Sequence, residues 1–186
     1  EATAFLACAP VVHMVGTALD GTPILKTIHA VVVEGLLCFH SSPVGEKTSL
    51  VGREVVVSAE EIVAEVPSYF MDPERACPAT TLYRSIQVHG TLEEVTDRQE
   101  KARVLQALMI RFQPEGRHVP ITADHPLYRA AVQGLLVAKV SLERMDGKAK
   151  LAQNRKPAER QQLLEQLWQR GRPQDAQAVE LIRRAN

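Results

Sequence analysis

Short runs with period-two alternation fill most of the first hundred residues, and apolar positions at helical spacing dominate later, so the chain reads as strands first and helices late. Val11 to Leu19 is valine-rich and ends at Asp20-Gly21, a tight-turn dipeptide. Pro23 to Glu34 is again strand-like, and Gly35 punctuates before Leu36 to His40. These three runs predict an antiparallel meander. Val44 to Gly52 fits one or two helical turns, and Glu54 to Val66 fits either one bent strand or a strand continuing past a bulge near Glu60-Glu61. Pro67, Pro73 and Pro78 make Pro67 to Thr81 a long loop or lid. Leu82 to Val95 alternates Leu82, Ile86 and Val88 against Tyr83, Ser85, Gln87 and His89, with a bulge at Gly90.

Asp97 and Glu100 form a capping box for an amphipathic helix over Arg98 to Phe112, with Leu105, Leu108, Met109 and Phe112 at helical spacing. Asp124 caps a second helix through Val132, and Gly134 to Leu142 is a closing strand. Pro157 opens a helix whose apolar stripe is Leu163, Leu164, Leu167 and Trp168, with Gly171 at its end. Asp175 starts a last helix to Ile182. The sum is six or seven antiparallel strands with peripheral helices and a C-terminal helical hairpin, an α+β, mainly β, barrel or strongly coiled sheet. The expected organisation is a barrel domain over residues 1–145 and a docked helical extension over 146–186.

Composition narrows the function. The 186 residues carry 22 Lys+Arg against 22 Asp+Glu, and a zero net charge without a helix-turn-helix pattern does not call for nucleic acid. From Glu143 onward ten basic residues face six acidic ones, so the tail is basic and the body acidic. Three widely spaced cysteines, Cys8, Cys38 and Cys77, fit neither a disulfide framework nor a paired-cysteine zinc site, which points to a reducing, cytoplasmic setting. Cys38 reads as core. No run reaches membrane-spanning length. Ala2 to Ala9 is short, apolar and without a basic leader. With no initiator methionine, it reads as the end of a longer helix and not as a signal peptide.

The segment Gly35 to Lys47, GLLCFHSSPVGEK, carries the chemistry. An apolar strand runs into a turn where Ser41 and Ser42 offer hydroxyls, Gly45 permits close backbone approach and Lys47 supplies a positive charge at a helix start, a pattern suited to a phosphate. Such turns also serve as plain strand-to-helix connections.

The order of meander, phosphate-type turn, long strand ending in a glycine, then capped helix resembles the FMN-binding split barrel of the pyridoxamine phosphate oxidase superfamily. The resemblance rests on Ile24 to His29 (ILKTIH), on Phe39-His40, on Glu46-Lys47 where the family has a basic pair, and on Arg84-Ser85 ahead of Gly90. Lys150 to Arg155, KLAQNR, is similar to a segment near the end of Nim (nitroimidazole resistance) and PaiB-like flavin-binding proteins. Ile24, His29 and Ser85 replace the arginine, lysine and glutamine of the oxidases, and the tail lacks their substrate-holding ending, so pyridoxamine phosphate oxidation itself is not expected.

The resemblance implies FMN, with its ring along Leu25, Lys26, Thr27, Ile28 and His29 and beside Phe39 and His40. It places the phosphate on Ser41, Ser42 and Lys47, and further contacts from Arg84 and Ser85. Lys26 either reaches the phosphate or faces water. Gln153, Asn154 and Arg155 either cap the barrel beside the cofactor or form a polar loop. His29 and His40 lack a third partner for zinc. The family keeps its flavin at a homodimer interface, so a homodimer acting as an oxidoreductase or flavin reductase on a small organic substrate is the leading expectation. A PaiB-type flavin-dependent regulator and a domain that has lost its cofactor are the alternatives.

Overall fold

In the computed structural model, which describes residues 2–186, an α-helix over Ala2–Cys8 (α1) precedes the strand Val12–Thr17 (β1), which turns back into Pro23–Ile28 (β2). The β1–β2 register pairs Met14 with Lys26 and Val12 with Ile28. Gly16 of β1 is required by packing: a Cβ there would stand 2.7 Å from a methyl of buried Leu50. The expected strand over Pro23 to Glu34 is broken. It stops at Ile28, resumes as Val31–Val33 (β3), and β3 pairs with Leu36–Ser41 (β4) in a different sheet, so these three runs do not form the expected meander. Arg111 marks the break by donating to the carbonyls of Ala30 and Ala9, partners that keep these backbone groups satisfied.

Glu54–Val66 (β5) is one long strand, and Thr80–Thr91 (β6) follows the proline-rich loop, which contains a short 3-10 turn at Ser68–Phe70. The expected run to Val95 does not stay in one strand: Glu93–Glu94 (β7) belongs to the other sheet. Arg98–Phe112 (α2) has the predicted bounds, with the Asp97 carboxylate accepting from Glu100 N at 2.8 Å. The reciprocal half of the capping box is absent among the described residues, because the Glu100 carboxylate accepts from Lys139 Nζ at 2.9 Å.

Asp124 does not cap the next helix. That helix is Arg129–Gly134 (α3), since Pro126 biases His125 away from helical backbone and the Asp124 carboxylate is engaged by Arg98 at 3.2 Å. Leu136–Ser141 (β8), Met145–Lys150 (β9), Pro157–Arg170 (α4) and Asp175–Arg184 (α5) complete the chain. Among the described residues nine strands, more than the six or seven expected because β3 and β7 are short pieces split from longer expected runs and β9 falls where no strand was expected, form sheets of order β2-β1-β5-β6-β9 and β3-β4-β8-β7. The class is the mainly antiparallel α+β split barrel expected, with a C-terminal helical pair.

The chain comprises two units, Glu1–Ala59 with Ile86–Asp146 and Glu60–Ser85 with Gly147–Asn186. In the first, β4 lies between two apolar clusters. Leu37 and Phe39 join one with Met14, Leu50 and Val88, while Cys38 joins the other with Val104, Leu105 and Leu108 of α2. In the second, Leu163, Leu164 and Leu167 of α4 pack with Val179 and Ile182 of α5 and with Phe70 and Leu82. Trp168 leaves the predicted stripe and is 69% exposed, because it lies about 140° round the helix from Leu163. Arg170 and Asp175 close the helical pair. The guanidinium donates Nε to Oδ2 at 2.9 Å and Nη2 to Oδ1 at 2.5 Å of a carboxylate that is 1% exposed. Among the described residues no helix is long and apolar enough to cross a membrane.

Candidate functional site

Ten of the fifteen candidate residues fall in the first unit, on β2 and just after it, in the second half of β4 and in the turn that follows. Alternation along β2 decides which side chains are available. Ile24 and Ile28 point into the core, whereas Leu25 and Thr27 lie on the exposed face. Thr27 Oγ1 lies 3.2 Å from His13 Nδ1 on the neighbouring strand, and Val15, paired with Leu25, is also exposed. This outer face is apolar at Leu25 and Val15 and polar at Thr27 and His13.

Lys26 has the parity of the core residues. It neither hangs in water nor stands free, because its ammonium forms an ion pair with Glu46. The proximity holds the Glu46 carboxyl below the ordinary carboxylate range, through the hydrogen bond first and the charge second.

Phe39 is 1% exposed, so its ring is core and not a ligand surface. His40, the next residue, is exposed where β4 ends. Burial of the ring atoms first, and the nearby His29 second, push its pKa below the usual imidazole value, which keeps a neutral imidazole here at pH 7. His29 itself meets Phe112 of α2 edge to face, at 5.3 Å between ring centres.

The hydroxyls of the turn are largely committed to the turn. Ser41 Oγ donates to the Ser42 carbonyl at 3.0 Å, Ser42 Oγ accepts from Val44 N at 3.4 Å, Thr48 Oγ1 donates to the Gly45 carbonyl at 2.8 Å, and Ser49 Oγ donates to the Glu46 carbonyl at 2.7 Å. The expected helix start is only a five-residue 3-10 turn, Glu46–Leu50, too short for a helix-end anion site. What remains fits a phosphate. Gly45 has φ 103°, a conformation glycine tolerates, and nothing lies within 4 Å of where its Cβ would be. Half-buried Lys47, two residues on, has no hydrogen bond or ion pair among the described residues. A nearby open groove of about 420 Å³, reaching Leu19, Thr22 and Ser49, is lined by the carboxylate residues Asp20 and Glu46 and is the wrong charge for that group.

The other five candidates belong to the second unit. Half-buried Arg84 donates to Glu61 Oε2 from Nε at 2.9 Å and from Nη2 at 2.5 Å, and Ser85 beside it is half-buried. Gln153 closes its own turn: Oε1 accepts from Leu151 N at 2.7 Å and Nε2 donates to the Ala149 carbonyl at 3.0 Å. Asn154 is exposed, and Arg155 donates to the Pro78 carbonyl at 3.5 Å. KLAQNR in this unit is thus a turn that also holds the end of the proline-rich loop, since Lys150 Nζ donates to Thr80 Oγ1 at 2.5 Å. Sequence reasoning missed Glu46 and Glu61 as partners of Lys26 and Arg84. The signal for Glu46 was present, an acidic residue where the resembled family has a basic one.

The family described as pyridoxamine 5'-phosphate oxidase matches residues 1–149. The chain belongs to that family. A search of curated proteins gives no match. Among solved structures, a Bacteroides thetaiotaomicron protein described as putative for 5-nitroimidazole antibiotic resistance aligns with TM-score 0.61 and 20% identity, over 78% of this chain and 80% of that one. A FAD and heme binding protein from Mycobacterium smegmatis aligns with TM-score 0.65 and 21% identity, over 80% and 69%. The flavocytochrome Anf3 from Azotobacter vinelandii aligns with TM-score 0.63 and 18% identity, over 80% of this chain and 65% of that one. At these identities the likeness is one of fold.

Proposed function

We propose that this family member is a flavoprotein that holds FMN by its phosphate on the turn from Ser41 to Lys47 and works as an oxidoreductase or flavin reductase on a small organic substrate. The observation that carries the reading is the unpartnered Lys47 beside the open backbone at Gly45, in a chain of this family. The FAD and heme binding of the Mycobacterium smegmatis protein supports a flavin in general. The choice of FMN rests on the turn, where Lys47 makes no ion pair or hydrogen bond among the described residues and can meet a terminal phosphate.

A bound flavin supplies hydride or single-electron transfer. The chain's own residues do the rest. Lys47 attracts the phosphate, and a charge-assisted bond from it orients the cofactor. Leu25 and Thr27 offer a flat, partly apolar strand face to a planar ring. The neutral imidazole of His40 offers one donor and one acceptor at the end of β4, without adding charge at pH 7.

The exposed Val15 and Leu25 on this face favour burial against a second copy of the chain, so the working form is a homodimer. Titration with FMN, FAD and riboflavin, followed by turnover with reduced nicotinamide and an electron acceptor, tests the reading. FMN should bind more tightly than FAD, and reduced nicotinamide should be consumed only when flavin is present. Equal or tighter FAD binding contradicts the phosphate site, and a protein that binds no flavin contradicts the function.

A further inference from the structure

The Lys26–Glu46 pair gives the proposed site a property beyond flavin binding itself, and the inference rests on that flavin reading. Lys26 shares the inward face of β2 with Ile24 and Ile28 and stands opposite buried Met14. A lysine so placed runs its aliphatic stem along apolar surface and brings its ammonium out at the rim, where it needs an anionic partner. Glu46 supplies the anion from the first position of the 3-10 turn, one residue before Lys47.

We propose that Glu46 is a specificity-determining residue that competes with the flavin phosphate for Lys26 and makes FMN an exchangeable ligand instead of a permanently held one. The charges favour this. Lys26 and Lys47 offer two positive charges, Glu46 removes one, and a phosphate monoester brings about −1.5 to −2 at pH 7. With Glu46 in place the turn cannot neutralise the monoester, and the carboxylate repels it. The Glu46 side chain is 67% exposed and that of Lys26 33%, so the pair is weak enough to open when a stronger anion arrives. The competitor therefore lowers affinity without blocking entry, and FMN leaves more readily than it would from two free lysines.

The test is Glu46→Gln, which keeps the side chain's size and removes its charge. Wild type and variant are titrated with FMN and with riboflavin, which lacks the phosphate, and FMN release is followed after dilution. The expected result is an FMN Kd lower by roughly tenfold in the variant, with slower release and an unchanged riboflavin Kd. An unchanged FMN Kd, or an equal gain for riboflavin, overturns the competitor role while leaving the flavin reading standing. A wild-type protein that binds neither FMN nor riboflavin overturns the flavin reading and this inference together. Thermal melting of both proteins shows whether any change comes from folding.

Discussion

Replacing Asp175 with alanine tests whether the ion pair that closes the C-terminal helices carries the stability its burial implies. Asp175 is 1% exposed, and its carboxylate accepts from Arg170 Nε at 2.9 Å, Arg170 Nη2 at 2.5 Å and Arg172 N at 2.9 Å. Removing one member of a buried pair costs about 3–5 kcal/mol, because the remaining charge is left without its partner. The Arg170 side chain, 12% exposed, keeps its bond to the Glu65 carbonyl at 2.6 Å and its position 5.2 Å from the Phe70 ring centre. These residual contacts favour the lower end, about 3 kcal/mol, which corresponds to a fall in Tm of roughly 6–12 °C for a chain of this length. Urea and thermal unfolding followed by far-ultraviolet circular dichroism read the loss.

The exposed pair Arg184–Glu180 is the control, and Arg184→Ala should change stability by no more than about 0.5 kcal/mol. The Arg170 hydrogen bond holds the Asp175 pKa below its ordinary value, so the pair's contribution is fully present above the usual carboxylate range. It is lost as pH falls through the lowered value, and wild type and Asp175→Ala should converge in stability at strongly acidic pH. A loss below about 1 kcal/mol at pH 7, or a difference that grows on acidification, would refute the reasoning.

Lys47→Ala should weaken FMN binding by roughly one to two powers of ten with melting of the flavin-free protein unchanged, since Lys47 makes no ion pair or hydrogen bond among the described residues; a lower Tm with unaltered affinity would make it a structural residue. Cys8 and Cys77 are exposed, whereas Cys38 is buried and desolvation pushes its thiol up to about 12, so a thiol reagent at pH 8 should modify two of the three cysteines in the native protein and the third only after unfolding. Three rapid equivalents in the native protein would contradict the packing of β4.

The sequence was informative wherever a local rule sufficed. The Asp97 cap and helical spacing located α2, Pro157 and Gly171 bracketed α4, and alternation identified Leu82, Ile86 and Val88 as core. It was silent where partners far along the chain decide. Nothing local announces that the run from Pro23 splits at His29-Ala30, because the break follows from β2 and β3 pairing in different sheets, with Arg111 receiving the freed Ala30 carbonyl. Trp168 sits one turn past Leu164, yet the packed face is centred on Leu163 and Leu167. At the site, the position of the turn was legible from Gly35 to Lys47. The commitments of its side chains were not, because Lys26–Glu46 links residues 20 positions apart. Gln153 and Arg155 resembled ligands in a motif, while the structure uses them to close a turn and hold a loop.

Amide chemical-shift mapping during FMN titration tests, residue by residue, whether FMN sits on the outer face of β2 and on the turn ending at Lys47. Saturable shifts are expected at Leu25, Thr27, His40, Ser42, Gly45 and Lys47, with riboflavin sparing Gly45 and Lys47. Saturable FMN binding whose shifts lie elsewhere, or that leaves Gly45 and Lys47 unmoved, would contradict it.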